Sequence, residues 1–318
     1  MKKVLTLIVY LFGLSPFSSH TAIKITKLQT NTLDENSGLL FYNNNLITHN
    51  DSGGKANLYE INATTGAVIR TVEIKNATNI DWEDITQDAS YIYIGDIGNN
   101  AGNRTDLKIY KISKSDYNDS DNIATAEVIS YSYINQLEFT SNPNNTNWDA
   151  EGLISYGNNL LIFTKNWIDK KVNVYSIPKT SGTHSAILIS SHNTKGLITG
   201  ADISFNGNII YLTGYSTSEA PFMYTIHGIP ANNSDIFSGI TSEKIANIVP
   251  LGNQVEAIAL FEITPTKHRL YISNEKHIAT FFNGLLKIRS SAKLWSMEID
   301  TKTISLPIQN SDLPNNAK

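Results

Sequence analysis

The chain has 318 residues, 41% of them hydrophobic and 17% charged, which fits a globular protein and excludes a disordered one. Its formal charge is −4 with no basic run, so no nucleic-acid partner is expected. It contains no cysteine, which excludes disulfides, thiolate metal sites and a lipid anchor on an N-terminal cysteine.

The N-terminus reads as an export signal. Lys2 and Lys3 are followed by an apolar run over residues 4–14, then by Pro16 and the small residues Ser18, Ser19, Thr21 and Ala22. That run is shorter than the roughly 20 residues needed to span a bilayer, and no later segment is apolar enough to do so. Residues 1–22 are therefore expected to be a cleaved signal peptide. Residues 23–318 are expected to form a single domain, secreted or periplasmic and monomeric. Without Lys2 and Lys3 its charge becomes about −6.

Next in chain order is a strand-like run at residues 22–28, and after it a short acidic phrase that recurs. It appears as Glu35-Asn36-Ser37-Gly38-Leu39, Asp81-Trp82-Glu83-Asp84-Ile85 and Asp149-Ala150-Glu151-Gly152-Leu153. It returns as Thr199-Gly200-Ala201-Asp202-Ile203 and Gln254-Val255-Glu256-Ala257-Ile258. Aligning Ser37, Glu83, Glu151, Ala201 and Glu256 gives intervals of 46, 68, 50 and 55 residues. Each phrase opens a series of apolar, β-branched and aromatic runs separated by turn formers such as Asn43-Asn44-Asn45 and Thr64-Thr65-Gly66. Four strands per unit at this period describe a β-propeller blade. The expected fold is all-β, a β-propeller of five four-stranded blades. A sixth fits only if an irregular blade is hidden in the long second interval. Residues 22–28 are expected to close the ring beside the last strand-like run, residues 303–307.

In such a ring the innermost strands line a central channel, so the phrases should converge at one mouth. A second polar set follows the second strand of each copy and should face the same end: His49-Asn50-Asp51, Asp96, Lys165-Asn166, Tyr215 and Asn274-Glu275. Converging carboxylates repel one another unless a cation neutralises them. Calcium accepts six to eight oxygen ligands in irregular geometry, and Asp, Glu and Asn supply only oxygen. The candidate metal ligands are Glu83, Glu151, Glu256, Asp81, Asp96, Asp202 and Glu275. Lys165 can neutralise part of the ring itself. Zinc is disfavoured for want of cysteine or a His pair at ligand spacing. His49 and Lys165 are the catalytic candidates, His49 as a general base, although a turn histidine is the plainer reading. Asp51-Ser52-Gly53-Gly54 lacks the spacing of a calcium loop and reads as a turn. Trp82 reads as packing, and Trp167 can wall a pocket for a small molecule or saccharide.

Those five phrases, with the strand endings Ile94-Gly95-Asp96, Phe163-Thr164-Lys165 and Ile272-Ser273-Asn274-Glu275, resemble the bacterial SdiA-regulated family. The resemblance follows the same order over most of the chain. It implies a five-bladed propeller with a calcium site, distantly akin to NHL-type propellers. Asp202 departs from the pattern where a Glu is expected. Two functional expectations follow: an exported calcium-binding propeller with a ligand site at the channel mouth, or a calcium-dependent hydrolase of esterase, lactonase or phosphoesterase type.

Overall fold

The computed structural model describes residues 21–229, 235–238, 240–241, 244–281 and 284–301. The expected signal peptide and the run at 303–307 therefore lie essentially outside the described residues. Nearly all regular structure is β.

Strand β1 (Ile23–Lys27) precedes a first antiparallel meander, β2 (Asn36–Tyr42), β3 (Asn45–Asn50), β4 (Asn57–Asn62) and β5 (Val68–Ile74). Asn43 and Asn44 join β2 to β3 with φ of 47° and 64°. A two-residue hairpin needs positive φ at both positions, and asparagine tolerates it best after glycine. The second meander is β6 (Trp82–Gln87), β7 (Tyr91–Asp96) and β8 (Lys108–Ser113). A one-turn helix α1 (Lys114–Tyr117) and the short β9 (Ile123–Ala124), which pairs with β5, then lead to its outer strand β10 (Ala126–Tyr133). The third runs β11 (Ala150–Tyr156), β12 (Asn159–Thr164), β13 (Val172–Pro178) and β14 (Gly182–His192). The fourth is β15 (Leu197–Ile203), β16 (Ile209–Tyr215) and β17 (Pro221–His227), edged by β18 (Ile240–Thr241) and β19 (Ile245–Ala246). The fifth contains β20 (Val255–Thr264) and β21 (Lys267–Asn274). After a two-stranded ribbon, β22 (His277–Phe281) and β23 (Leu286–Ser290), it ends in β24 (Lys293–Asp300).

The closing contact differs from the expectation in its partner. β1 pairs antiparallel with β24, so the N-terminal strand is itself the fourth strand of the last meander. Elsewhere β10 and β14 pair in parallel and join the second and third meanders into one eight-stranded sheet. Its end strands β6 and β11 also pack together, so that sheet curls almost into a barrel.

The first strand of every meander touches the next: β2 on β6, β6 on β11, β11 on β15, β15 on β20, and β20 back on β2. Apolar layers fill the spaces between meanders in the same cyclic order. Leu40 and Ile47 meet Trp82 and Ile94; Tyr93 and Ile109 meet Leu153 and Ile162; Phe163 meets Leu212; Tyr211 meets Ile258; and Tyr271 meets Leu39. The inner strands are buried on both faces, which is why strands such as β12 read as continuous apolar runs. Burial of this kind contributes about 2 kcal/mol per large apolar side chain. The result is a propeller-like all-β fold.

Inner strands in such a ring have one edge without a strand partner, and side chains of neighbouring inner strands satisfy it. Ser37 Oγ donates to the Glu83 carbonyl at 2.7 Å, and Thr199 Oγ1 to the Val255 carbonyl at 2.6 Å. Asp84 Oδ2 accepts from the amides of Leu153 (2.8 Å) and Ala201 (3.2 Å).

Candidate functional site

The ladder between first and second strands slips by one residue at the same place in all five meanders. The shifts fall between Ser37 and Leu39, Trp82 and Asp84, Ala150 and Gly152, Ile198 and Gly200, and Val255 and Ala257. Such bulges insert one residue and re-aim its side chain. The bulged residues are Gly38, Glu83, Glu151, Thr199 and Glu256. This register corrects the sequence alignment by one residue in the first copy and by two in the fourth.

The re-aimed glutamates meet in a cavity of about 250 Å³ at one mouth of the ring. Glu83, Glu151 and Glu256 line it from the first strands, with Asp51, Lys165, Tyr215 and Glu275 from the ends of the second strands. Side chains two apart along a strand face the same way, so Asp81 and Asp149 join the group. Two trios, Asp51–Asp81–Glu83 and Glu83–Asp149–Glu151, each place carboxylate oxygens within 4.8 Å of one another. The backbone passes this cluster at Gly98, where a Cβ would collide with the carboxylates of Glu83 and Asp81. Asp149 is held from behind by the Asn99 amide (2.7 Å) and the Trp167 indole N–H (2.8 Å).

Among the described residues lining the cavity, Lys165 is the one cation. Its Nζ donates to Glu151 Oε1 at 2.5 Å and lies 5.0 Å from the Trp167 ring and 5.5 Å from that of Tyr215. Burial opposes its charge, but the carboxylates around it, Glu151 first, hold its pKa well above the ordinary lysine value. One ammonium cannot serve the whole group. Burial, then mutual repulsion, pushes Glu83 and Glu151 well above the usual carboxylate range. Burial also raises Asp81 and Glu256 to about 7 and Glu275 to about 9, and it raises Asp51 and Asp149. Asp51 Oδ1 and Glu256 Oε1 are buried and accept no hydrogen bond. The donor set is all oxygen, crowded and short of positive charge, a cluster that could hold a metal ion.

Of the residues singled out from the sequence, the structure brings together Asp81, Glu83, Glu151, Glu256, Glu275 and Lys165. It places three elsewhere. Asp96, fully buried, is taken by Arg104 Nη2 at 2.8 Å behind Asp81, with Lys108 at 3.9 Å. Asp202 lies toward the opposite mouth, its oxygens accepting from the Ile203 amide (2.7 Å) and the Leu260 amide (2.6 Å). His49 is buried behind the wall, edge-on to Trp82 at 5.6 Å, and burial lowers its pKa to about 4, so it is neutral. Asp149 was signalled by its Asp-x-Glu spacing, shared with Asp81. Asp51 sits in the turn expected there and still sends its carboxylate into the cluster. Trp82 is packing, as read, and Trp167 lines the cavity.

Among the described residues no helix is long and apolar enough to cross a membrane. Comparison with protein-family models and with curated proteins returns no match. Among solved structures, the chain is similar to the exo-β-1,3-galactanase of Phanerochaete chrysosporium bound to β-1,3-galactotriose. The two share 9% identity at a TM-score of 0.50, over 88% of this chain and 64% of that one. The α-L-arabinofuranosidase of Fusarium graminearum, bound to an iminosugar inhibitor, gives 9% identity and 0.47, over 89% and 98%. A chain of the mitotic checkpoint complex gives 11% and 0.39, over 93% and 100%. At such identity the likeness to the galactanase speaks to the fold alone, and it agrees with the propeller-like arrangement.

Proposed function

We propose that the chain is an exported five-bladed β-propeller that binds calcium at its acidic mouth. What carries this reading is the sharing of Glu83 by two carboxylate trios, beside the buried and unbonded Oε1 of Glu256. Asp51, Asp81, Glu83, Asp149 and Glu151 would hold the ion, while Lys165 neutralises the side nearer Glu256. Five blades are favoured because five meanders pack in one cycle and the long second interval adds a helical turn and, among the described residues, one short strand to an existing sheet. The order of the acidic phrases, similar to that of the SdiA-regulated family, points the same way. Export rests on the leader-like first 22 residues.

The test is calcium binding to metal-stripped protein, followed calorimetrically, with Glu83→Gln as the site variant. Stoichiometric binding lost in the variant supports the reading, and no binding to the parent refutes it.

A hydrolase reading is favoured by Glu256 and Glu275, whose raised pKa values let them exchange protons near neutrality at the cavity wall. Bound calcium would supply polarisation of an ester, lactone or phosphoryl oxygen. Turnover of such substrates, abolished by Glu256→Gln while calcium remains bound, would establish it. No turnover across the three classes would leave a binding protein.

A further inference from the structure

The ring has a second mouth, opposite the acidic one and built differently. The turns joining first to second strands surround a cavity of about 1140 Å³. Four aromatic side chains stand in its wall, among polar ones. Phe41 and Phe261 lie 4.6 Å apart, tilted by 33°, Tyr156 stands at the end of β11, and Phe205 is 95% exposed. The Phe205 ring is spent on no core contact and is open to a ligand.

The charges at this mouth are already engaged within the protein. Asp88 Oδ2 accepts from Lys179 Nζ at 3.1 Å and from the Tyr93 hydroxyl at 2.8 Å. Glu262 Oε1 accepts from the Phe205 amide at 2.6 Å. Both oxygens of Asp202 are bonded to backbone amides. Lys114 Nζ lies over the Tyr42 ring at 5.1 Å. No cluster of like charge remains to select an ion. What faces the cavity is a set of aromatic rings interleaved with the amide side chains of Gln87, Asn206 and Asn208. Gln87 Nε2 donates to the Phe41 carbonyl (2.9 Å) and Asn206 Oδ1 accepts from Ser204 Oγ (2.8 Å), which leaves Gln87 Oε1 and the Asn206 and Asn208 amide nitrogens for a ligand. That combination matches a neutral saccharide, whose C–H faces stack on rings while its hydroxyls bond to amides. The volume exceeds the upper end of the usual range for drug-sized ligands, roughly 1,000 Å³, and so admits more than one sugar ring.

We propose that this mouth binds a neutral oligosaccharide, stacked on Phe205 and Phe261 and hydrogen-bonded by Gln87, Asn206 and Asn208. This site is separate from the acidic mouth and needs no metal.

The test uses the whole chain titrated with cellohexaose, xylohexaose, laminarihexaose and mannohexaose, followed by calorimetry and saturation-transfer NMR. At least one should bind. Phe205→Ala should weaken it by roughly tenfold, the upper range for loss of an aromatic contact, with an unchanged melting temperature. Phe205→Trp should retain binding. EDTA and Glu83→Gln should leave it unaltered. Failure of all four sugars to bind overturns the proposal, as does binding that Phe205→Ala does not weaken. Binding abolished by EDTA or Glu83→Gln would also overturn it, by moving the sugar to the acidic mouth.

Discussion

Replacing Lys165 with methionine is the sharpest perturbation of the acidic mouth. The ammonium sits 2.5 Å from Glu151 Oε1, and Lys165 and Glu151 are only 4% and 3% exposed. Methionine keeps much of the stem's bulk and removes the charge. Breaking a buried pair costs about 3–5 kcal/mol, because the remaining charge is left uncompensated. Glu151 can relieve part of that by holding a proton, since burial has already raised its pKa. We therefore expect the lower end, about 3 kcal/mol at neutral pH in EDTA. At the roughly 2–4 °C per kcal/mol of large domains, Tm falls by roughly 6–12 °C. Calcium should more than halve the gap, because a second cation replaces the lost charge. Thermal melting of parent and Lys165→Met, in EDTA and in calcium, measures both quantities. A fall of less than about 1 kcal/mol in EDTA, or one that calcium leaves unchanged, would refute this electrostatic reasoning.

Four further outcomes are expected. Gly98→Ala should weaken calcium binding by about tenfold or more, because its methyl would displace Glu83 and Asp81; unchanged calorimetric affinity contradicts this. Asp84→Asn should destabilise by about 2 kcal/mol in urea while sparing calcium affinity, since it disturbs the acceptor shared by the Leu153 and Ala201 amides. Asp202→Asn should likewise leave calcium affinity unaltered in the same titration, because it lies at the other mouth. The pH dependence of the metal-free protein has a definite sign. Glu256 rises from 4.5 and Asp81 from 3.8, both to about 7, so the fold binds their protons more tightly than the unfolded chain. That stability is fully present below about pH 4 and is lost as pH rises through about 7, so the urea midpoint in EDTA should fall over that window. A rising midpoint would contradict it.

Much of the architecture was legible because the inner strands carry their own label. The phrases at Asp81, Asp149 and Gln254 mark strand starts, and their i, i+2 spacing puts two side chains on one face. In the fourth copy the bulge falls at Thr199, two residues before Ala201, which the sequence alignment pairs with Glu83. Hydrogen-bond register decides which residue is re-aimed, and sequence similarity does not record it. That slip carries Asp202 past the cluster, so that it bonds the Leu260 amide toward the far mouth instead of joining the metal ligands. Asp96 departs from its expected role for another reason: its partner Arg104 lies in the following loop, and only the folded loop brings them together. His49 has the expected position in the chain but not the expected exposure, since Trp82 covers it. The N-terminal strand closes the last meander, as its sequence suggests, but on β24 directly.

The most direct measurement is an isothermal calcium titration of metal-stripped protein at neutral pH, repeated on Glu83→Gln. Glu83 belongs to both carboxylate trios, so its charge is the one the site can least lose. We expect saturable, stoichiometric calcium binding to the parent and a loss of at least tenfold in affinity for the variant. A parent that takes up no calcium, or a variant that binds it equally well, would contradict the assignment of the acidic mouth as a metal centre.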